Sequence, residues 1–134
     1  MTNNFSYNKT EKLKSKKQLD ALFANAKSFV VFPVKVWYDL PVVQDNIIKT
    51  GVGVSSRHFK KAVHRNRVKR LLREAYRTEK QPLHIYLNSN KKQVAVFLLF
   101  IDKVMPEYDL IKAKMKLCMA RLIHELHEVD FKNT

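Results

Sequence analysis

Apolar residues recur along the chain with two different periods, and the switches between them mark its elements. Leu19, Leu22, Phe23 and Ala26 are spaced three and four apart, which predicts a short amphipathic helix over 17–26. From Phe29 to Leu40 the residues are β-branched and aromatic. Past Pro33, Val34, Val36 and Tyr38 alternate with Lys35, Trp37 and Asp39, so the stretch predicts a strand with one apolar face. Pro41 to Asn46 reads as a turn, and Ile47 to Ser55 as a second strand or a pair of strand pieces. Gly51 and Gly53, the only glycines of the chain, sit at alternating positions of that strand and leave one of its faces bare. Glycine there marks a bulge or a close approach by another backbone. Residues 58–78 predict a helix: at ~100° per residue, Val68, Leu71, Leu72 and Ala75 form an apolar arc. Arg65, Lys69, Arg73, Asn66, Arg77 and Arg70 fill the adjoining arc, with Arg67 nearer the far side beside Glu74. Gln81 to Lys92 is polar, contains Pro82 and Asn88-Ser89-Asn90, and reads as a connection. Gln93 to Ile101 is a near-continuous apolar run, the pattern of a strand buried on both faces. After Pro106 a helix is expected over 107–129, with Ile111, Met115, Cys118, Met119, Leu122 and Leu126 as its stripe. Asn3 to Lys16 is polar, carries Phe5 and Tyr7, and has no period, so residues 1–16 are expected to form a basic, extended arm. No repeat or long linker divides the chain, and 1–134 is expected to be a single domain.

Charge changes this picture from a generic α/β domain to one with a direction. The 134 residues carry 26 Lys and Arg against 12 Asp and Glu, a net charge of +14. Residues 57–77 hold nine cationic side chains against one carboxylate, net +8, and residues 1–17 hold five against one, net +4. Everything else is nearly neutral. A Lys-rich run is most simply a solvated face, and Lys91-Lys92 is read so. Six of the seven arginines lie in 57–77, however, and arginine is selected where planar, multi-donor contact with phosphate is needed. The partner this predicts is a polyanion, nucleic acid ahead of a membrane surface. No apolar run approaches the ~18 residues of a membrane span, and the N-terminus shows no signal-peptide core, so a soluble, cytoplasmic protein is expected. Cys118 is alone and implies neither a disulfide nor a zinc cluster.

The same residues give little for catalysis. Asp102, Glu107 and Asp109 are the nearest approach to a carboxylate group, and a helix N-terminus attracts such residues by itself. His124 and His127 fit the end of a helix, and His58 and His64 fall within the basic segment. The two glycines lack the third of a dinucleotide-binding loop. Binding chemistry is better specified: cations along one helix face neutralise phosphates and release counterions, and Asn66 adds a donor and an acceptor. Trp37 points away from the Val34, Val36 and Tyr38 face, where it can stack a base as readily as pack. For Phe23 core packing is the simpler role.

The run His64-Arg65-Asn66-Arg67-Val68-Lys69-Arg70-Leu71-Leu72-Arg73-Glu74-Ala75-Tyr76-Arg77, preceded by Gly51-Val52-Gly53-Val54-Ser55, resembles the signature of the bacterial ribonuclease P protein component. In that family a glycine-bearing strand, a basic loop and an Arg-Asn-Arg helix follow in this order, and the likeness extends loosely over about residues 9–128. The resemblance implies an α/β (α+β) two-layer sandwich with a four-stranded sheet and about three helices. It also implies a left-handed strand-helix-strand crossover, against the ~98% right-handed rule. It implies contacts to the catalytic RNA subunit from Arg57, Lys60, Lys61, Arg65, Asn66, Arg67, Lys69, Arg70 and Arg73, in a 1:1 complex without an obligate protein partner. Leu19, Phe23 and Trp37 are implied in a cleft for the 5′ leader of precursor tRNA. The chemistry implied is RNA-catalysed 5′ maturation of tRNA with Mg²⁺ held mainly by the RNA, no residue of the protein being catalytic. Leu19 stands where the family usually has a second aromatic, Trp37 where Tyr is common, and 81–92 lacks the family's acidic, glycine-containing approach to the fourth strand. Two other readings of the charge are a DNA-binding protein using 60–77 as a recognition helix and a ribosomal RNA-binding protein. The first needs a partner helix where Ile47 to Ser55 predicts strand.

Overall fold

The computed structural model describes residues 12–13, 16–40 and 47–133. The expected turn at 41–46 and nearly all of the arm lie outside the described residues. The first helix, α1, spans Lys16–Asn25, close to expectation. What the periodicity presents as one strand from Phe29 to Leu40 is a hairpin: β1 Lys27–Val31 and β2 Val34–Asp39 pair antiparallel with Val31 opposite Val34. The reversal is made by Phe32-Pro33, joined by a cis peptide bond. Proline has no N–H to give a ladder and a fixed φ, so it ends one strand and opens the next. In β2 the alternation holds, with Val34, Val36 and Tyr38 buried.

Strand β3 spans Ile48–Val54, and Lys12 and Leu13 lie along its outer edge, Leu13 N–H donating to the Thr50 carbonyl at 2.9 Å. Helix α2 runs Ala62–Glu79, starting four residues later than the pattern suggests. The intervening turn is closed by the Ser55 carbonyl, which accepts from His58 and Phe59 N–H, and anchored by Phe59, which is buried against Phe100 at 6.0 Å between ring centroids. Because α2 follows a strand and a turn, the partner helix of a helix-turn-helix is absent among the described residues.

The segment 81–92, expected to be a connection, contains helix α3, Gln81–Ser89. Pro82 stands in its first turn, where a missing N–H costs nothing. Leu83 and Leu87, one turn apart, are fully buried, each contributing roughly 1.5–3 kcal/mol. Nine residues make a helix that is marginal alone. Its inward stripe, Leu83, Tyr86 and Leu87, spans a single turn, with Ile85 exposed on the other side, too short to declare a period, and packing on the last helix holds it. The count is therefore four helices among the described residues.

Strand β4, Val94–Phe100, is central: the sheet order is β1-β2-β4-β3, with β2 antiparallel and β3 parallel to it. The long helix α4, Tyr108–Asn133, buries the predicted stripe from Ile111 to Leu126. Helices α2 and α4 cover one face of the sheet, over Val34, Val36, Ile48, Val96, Leu98 and Phe100, and α3 packs on α4. On the other face α1 packs through Leu22 on Ala95 and Leu13, with Leu19, Ala26 and Phe97 partly buried beside them. Both faces of β4 are thus in use, which is why its sequence is almost unbroken in its apolarity.

Cys118 is packed inside the α4 stripe, and burial pushes its thiol up to about 12, with Lys114 pulling slightly the other way. Since this lies above the unfolded value of ~8.5, the thiol's contribution to stability is complete below that pH and is lost as pH rises toward the folded value. The reactive species is the thiolate. Ellman's reagent is therefore expected to label Cys118 in the unfolded chain and spare it in the native one; equal rates would show that the stripe is not packed.

Candidate nucleic-acid interface

Helix α2 presents two faces with different tasks. Val68, Leu72, Ala75 and Tyr76 are buried, whereas His64, Asn66, Arg67, Arg70 and Arg73 are exposed and Lys69 is half-buried. The helix has no acidic residue in its first turn and no side-chain cap at Lys61. Its free N–H groups and the positive end of its dipole therefore face solvent beside the exposed Lys60, Lys61 and Arg57. Loop and helix start form one cationic surface of the kind that receives phosphate.

Two arginines of the expected arc are committed locally. Arg65 Nη1 donates to the carbonyls of Phe59 at 2.8 Å and Lys60 at 2.6 Å, tying the loop to the helix. Arg77 Nε donates to Glu74 at 3.1 Å, and this hydrogen bond holds the Glu74 carboxyl below its ordinary value while raising the guanidinium. Glu74, the lone acid of 57–77, is thus neutralised in place. Arg65 holds the loop's shape, and the exposed cations stand around it.

The second expected site lies on the α1 face of the sheet. Phe23, 43% exposed, meets Trp37 edge-on with ring centroids 5.4 Å apart and planes at 90°. It meets Phe97 in the same way, at 5.4 Å and 74°. Leu19 lies in the adjoining cleft of about 330 Å³, lined also by Lys12, Leu13, Gly51, Val52, Phe97 and Arg73. The structure therefore brings Leu19, Phe23 and Trp37 to one face and joins them through Phe97, which the sequence pattern leaves in the core. The apolar run itself gives no signal for this; it is the folded sheet that turns Phe97 away from the buried set Val94, Val96, Leu98 and Phe100, and register places Gly51 opposite Phe97. A Cβ on Gly53 would come 2.5 Å from the Phe97 ring, and one on Gly51 3.1 Å from both that ring and the Leu13 carbonyl. The bare face of β3 makes room for an aromatic ring as well as for a neighbouring backbone. Arg73, expected with the helix cations, stands at the cleft and links it to the α2 surface.

Fold and surfaces define a small α+β protein in which a cationic helix adjoins an open aromatic cleft. The chain matches the family model described as Ribonuclease P over residues 7–122. It belongs to that family. A Ribonuclease P protein component of Porphyromonas gingivalis is 29% identical over 133 residues, 96% of this chain and 95% of the relative. Another, from Chlorobium phaeobacteroides, is 30% identical over 132 residues, 90% and 88% of the two chains. Among solved structures, a Staphylococcus aureus RNase P protein mutant with defective mRNA degradation activity shares the fold at a TM-score of 0.65 and 17% identity, covering 84% of this chain and 90% of that one. The RNase P protein of Thermotoga maritima does so at 0.58 and 19%, covering 83% and 96%. Family membership makes the chain a protein component of the ribonuclease P holoenzyme, acting in tRNA processing with an RNA subunit as partner.

Proposed function

We propose that the chain binds the catalytic RNA of ribonuclease P, one copy to one, through α2 and the loop before it, and receives the single-stranded 5′ leader of precursor tRNA on its sheet face. The observation that carries this reading is the continuity of the two surfaces: Arg73 belongs to the cationic helix and also lines the cleft beside Phe97. Arg57, Lys60, Lys61, Asn66, Arg67, Lys69 and Arg70 meet phosphates of the RNA subunit, while Arg65 shapes the loop that carries three of them. Phe23, Trp37 and Phe97 offer π-faces and edges to unstacked bases, each stack contributing ~1–3 kcal/mol, and Leu19 supplies apolar contact where a further ring would stand.

Among the described residues no group of three or more His, Cys, Asp or Glu side chains is placed to hold a metal ion. The Mg²⁺ that activates water for phosphodiester cleavage is assigned to the RNA subunit. The protein's part is electrostatic and positional: it offsets the repulsion between two polyanions and holds the leader. No helix among the described residues is long and apolar enough to cross a membrane, and the proposed place of action is the cytoplasm, where precursor tRNA is made. Reconstitution tests the reading. Added to RNase P RNA at low Mg²⁺, the protein is expected to raise the rate of 5′ cleavage of precursor tRNA; an unchanged rate across a titration would overturn it.

A further inference from the structure

We propose that Lys35 is the residue that grips the leader backbone at Trp37, leaving the indole face when a base stacks there. The proposal rests on the reading of the sheet face as the leader cleft. Lys35 and Trp37 are two apart on β2, so their side chains leave the same face of the sheet. The Lys35 ammonium lies 4.3 Å from the centroid of the Trp37 ring, well inside the ~6 Å range of a cation–π contact. Trp37 therefore has one π-face under a cation and meets Phe23 perpendicularly.

The surroundings of Lys35 make that contact exchangeable. Its cross-strand neighbours are Val30 and Leu99, and among the described residues no carboxylate pairs with it. Among the described residues, the contact that holds the ammonium over the indole is the ring's own quadrupole. The cations that line the adjoining cleft, Lys12 and Arg73, stand beside Leu19 and Gly51. At Trp37, among the described residues, Lys35 is the cation set against the ring, where a stacked nucleotide would meet it.

A nucleotide brings a flat base and a charged phosphate within a few ångströms of each other. A base that stacks on the indole displaces the ammonium, and the flexible four-carbon stem lets the charge move aside to the phosphate of the same nucleotide. One side chain then serves the empty and the occupied cleft. It shields the indole from water in the first and neutralises backbone charge in the second. The contact selects for a stacked base joined to a phosphate, rather than for base identity.

Trp37 is the only tryptophan of the chain, so intrinsic fluorescence reports on this site directly. A short single-stranded RNA is titrated into the full-length protein at several salt concentrations, and the same RNA sequence serves as the leader of a precursor tRNA presented to the reconstituted holoenzyme. The wild type is expected to show a fluorescence change on binding. Lys35→Ala and Lys35→Met, the latter keeping the apolar stem, are expected to keep the change, while the log–log salt dependence of affinity becomes shallower by about 0.7, one single-strand phosphate contact. Lys35→Arg is expected to restore the slope. In the holoenzyme, Lys35→Met should weaken binding of a long-leader substrate several-fold and leave a one-nucleotide leader unaffected. A retained fluorescence change with an unaltered salt slope in both neutral variants overturns the role of Lys35 and leaves the cleft in place. Absence of any fluorescence change in the wild type removes the cleft reading and the proposal with it.

Discussion

Replacing Arg67 and Arg70 together with alanine is expected to weaken binding to the RNase P RNA by on the order of a hundredfold, taking ~1.5 kcal/mol for each charge-assisted hydrogen bond removed. The same change should flatten the log–log salt dependence by roughly 2, about 0.9 per phosphate. Both side chains are exposed on α2, and neither is drawn into the hydrogen bonds that occupy Arg65 and Arg77. This choice of pair matters. Arg65→Ala would remove the ties to the Phe59 and Lys60 carbonyls as well as a charge, and weaker binding would then mix loop collapse with the missing phosphate interaction. With Arg67 and Arg70 the fold is untouched. Removing two like charges from a crowded face should leave the melting temperature unchanged or slightly raised. Titrations at several salt concentrations, with thermal melts of the same proteins, decide the matter: an unchanged salt slope would move the RNA interface off this face.

Leu72→Ala acts from the opposite side of the same helix and should invert the pattern. Leu72 is fully buried among Val68, Ala75 and Tyr76, between the sheet and α4. Truncation removes transfer free energy and leaves a cavity, together ~2–5 kcal/mol. For a chain of this size that corresponds to a fall in melting temperature of roughly 7–18 °C. The salt slope of RNA binding in the folded fraction should stay as in the wild type, since no cation has been removed. A variant that melts like the wild type would mean that α2 is not packed on the core through this face, and the assignment of its arginines to solvent would fall with it.

The legibility of this protein follows from which physical terms are local. Helix α2 is readable because its apolar and cationic arcs repeat over 18 residues, a signal that tertiary context does not need to complete. The α4 stripe is readable for the same reason. The hairpin at Phe32-Pro33 merges into one strand in the sequence pattern because both arms share the same β-branched and aromatic composition, and the break is a single proline. Helix α3 escapes the pattern because Leu83, Tyr86 and Leu87 supply only one turn of periodicity between Pro82 and the polar run Asn88-Ser89-Asn90. What holds it is α4, which is distant in sequence.

The interface divides in the same way. Phe23 and Trp37 carry a local signal and the family resemblance as well. Phe97 carries neither: in a continuous apolar run a strand buried on both faces looks the same as one whose second face is open. Only the register of β4 against β3, which sets the Phe97 ring over Gly51 and Gly53, shows that the side chain leaves the core. Likewise, the number of arginines is a property of the sequence, but their division between phosphate and protein is not.

By itself, then, the order of residues determined a neutral α/β scaffold carrying a cationic helix, because charge pattern and helical period are properties of neighbours along the chain. The tertiary structure alone decided that Arg65 serves the loop, that Arg73 reaches the cleft, that Phe97 joins Phe23 and Trp37, and that Lys35 lies over the indole. Each of these depends on which strand lies beside which, and strand pairing is settled by the burial of apolar faces across the whole sheet, a sum that no single segment carries.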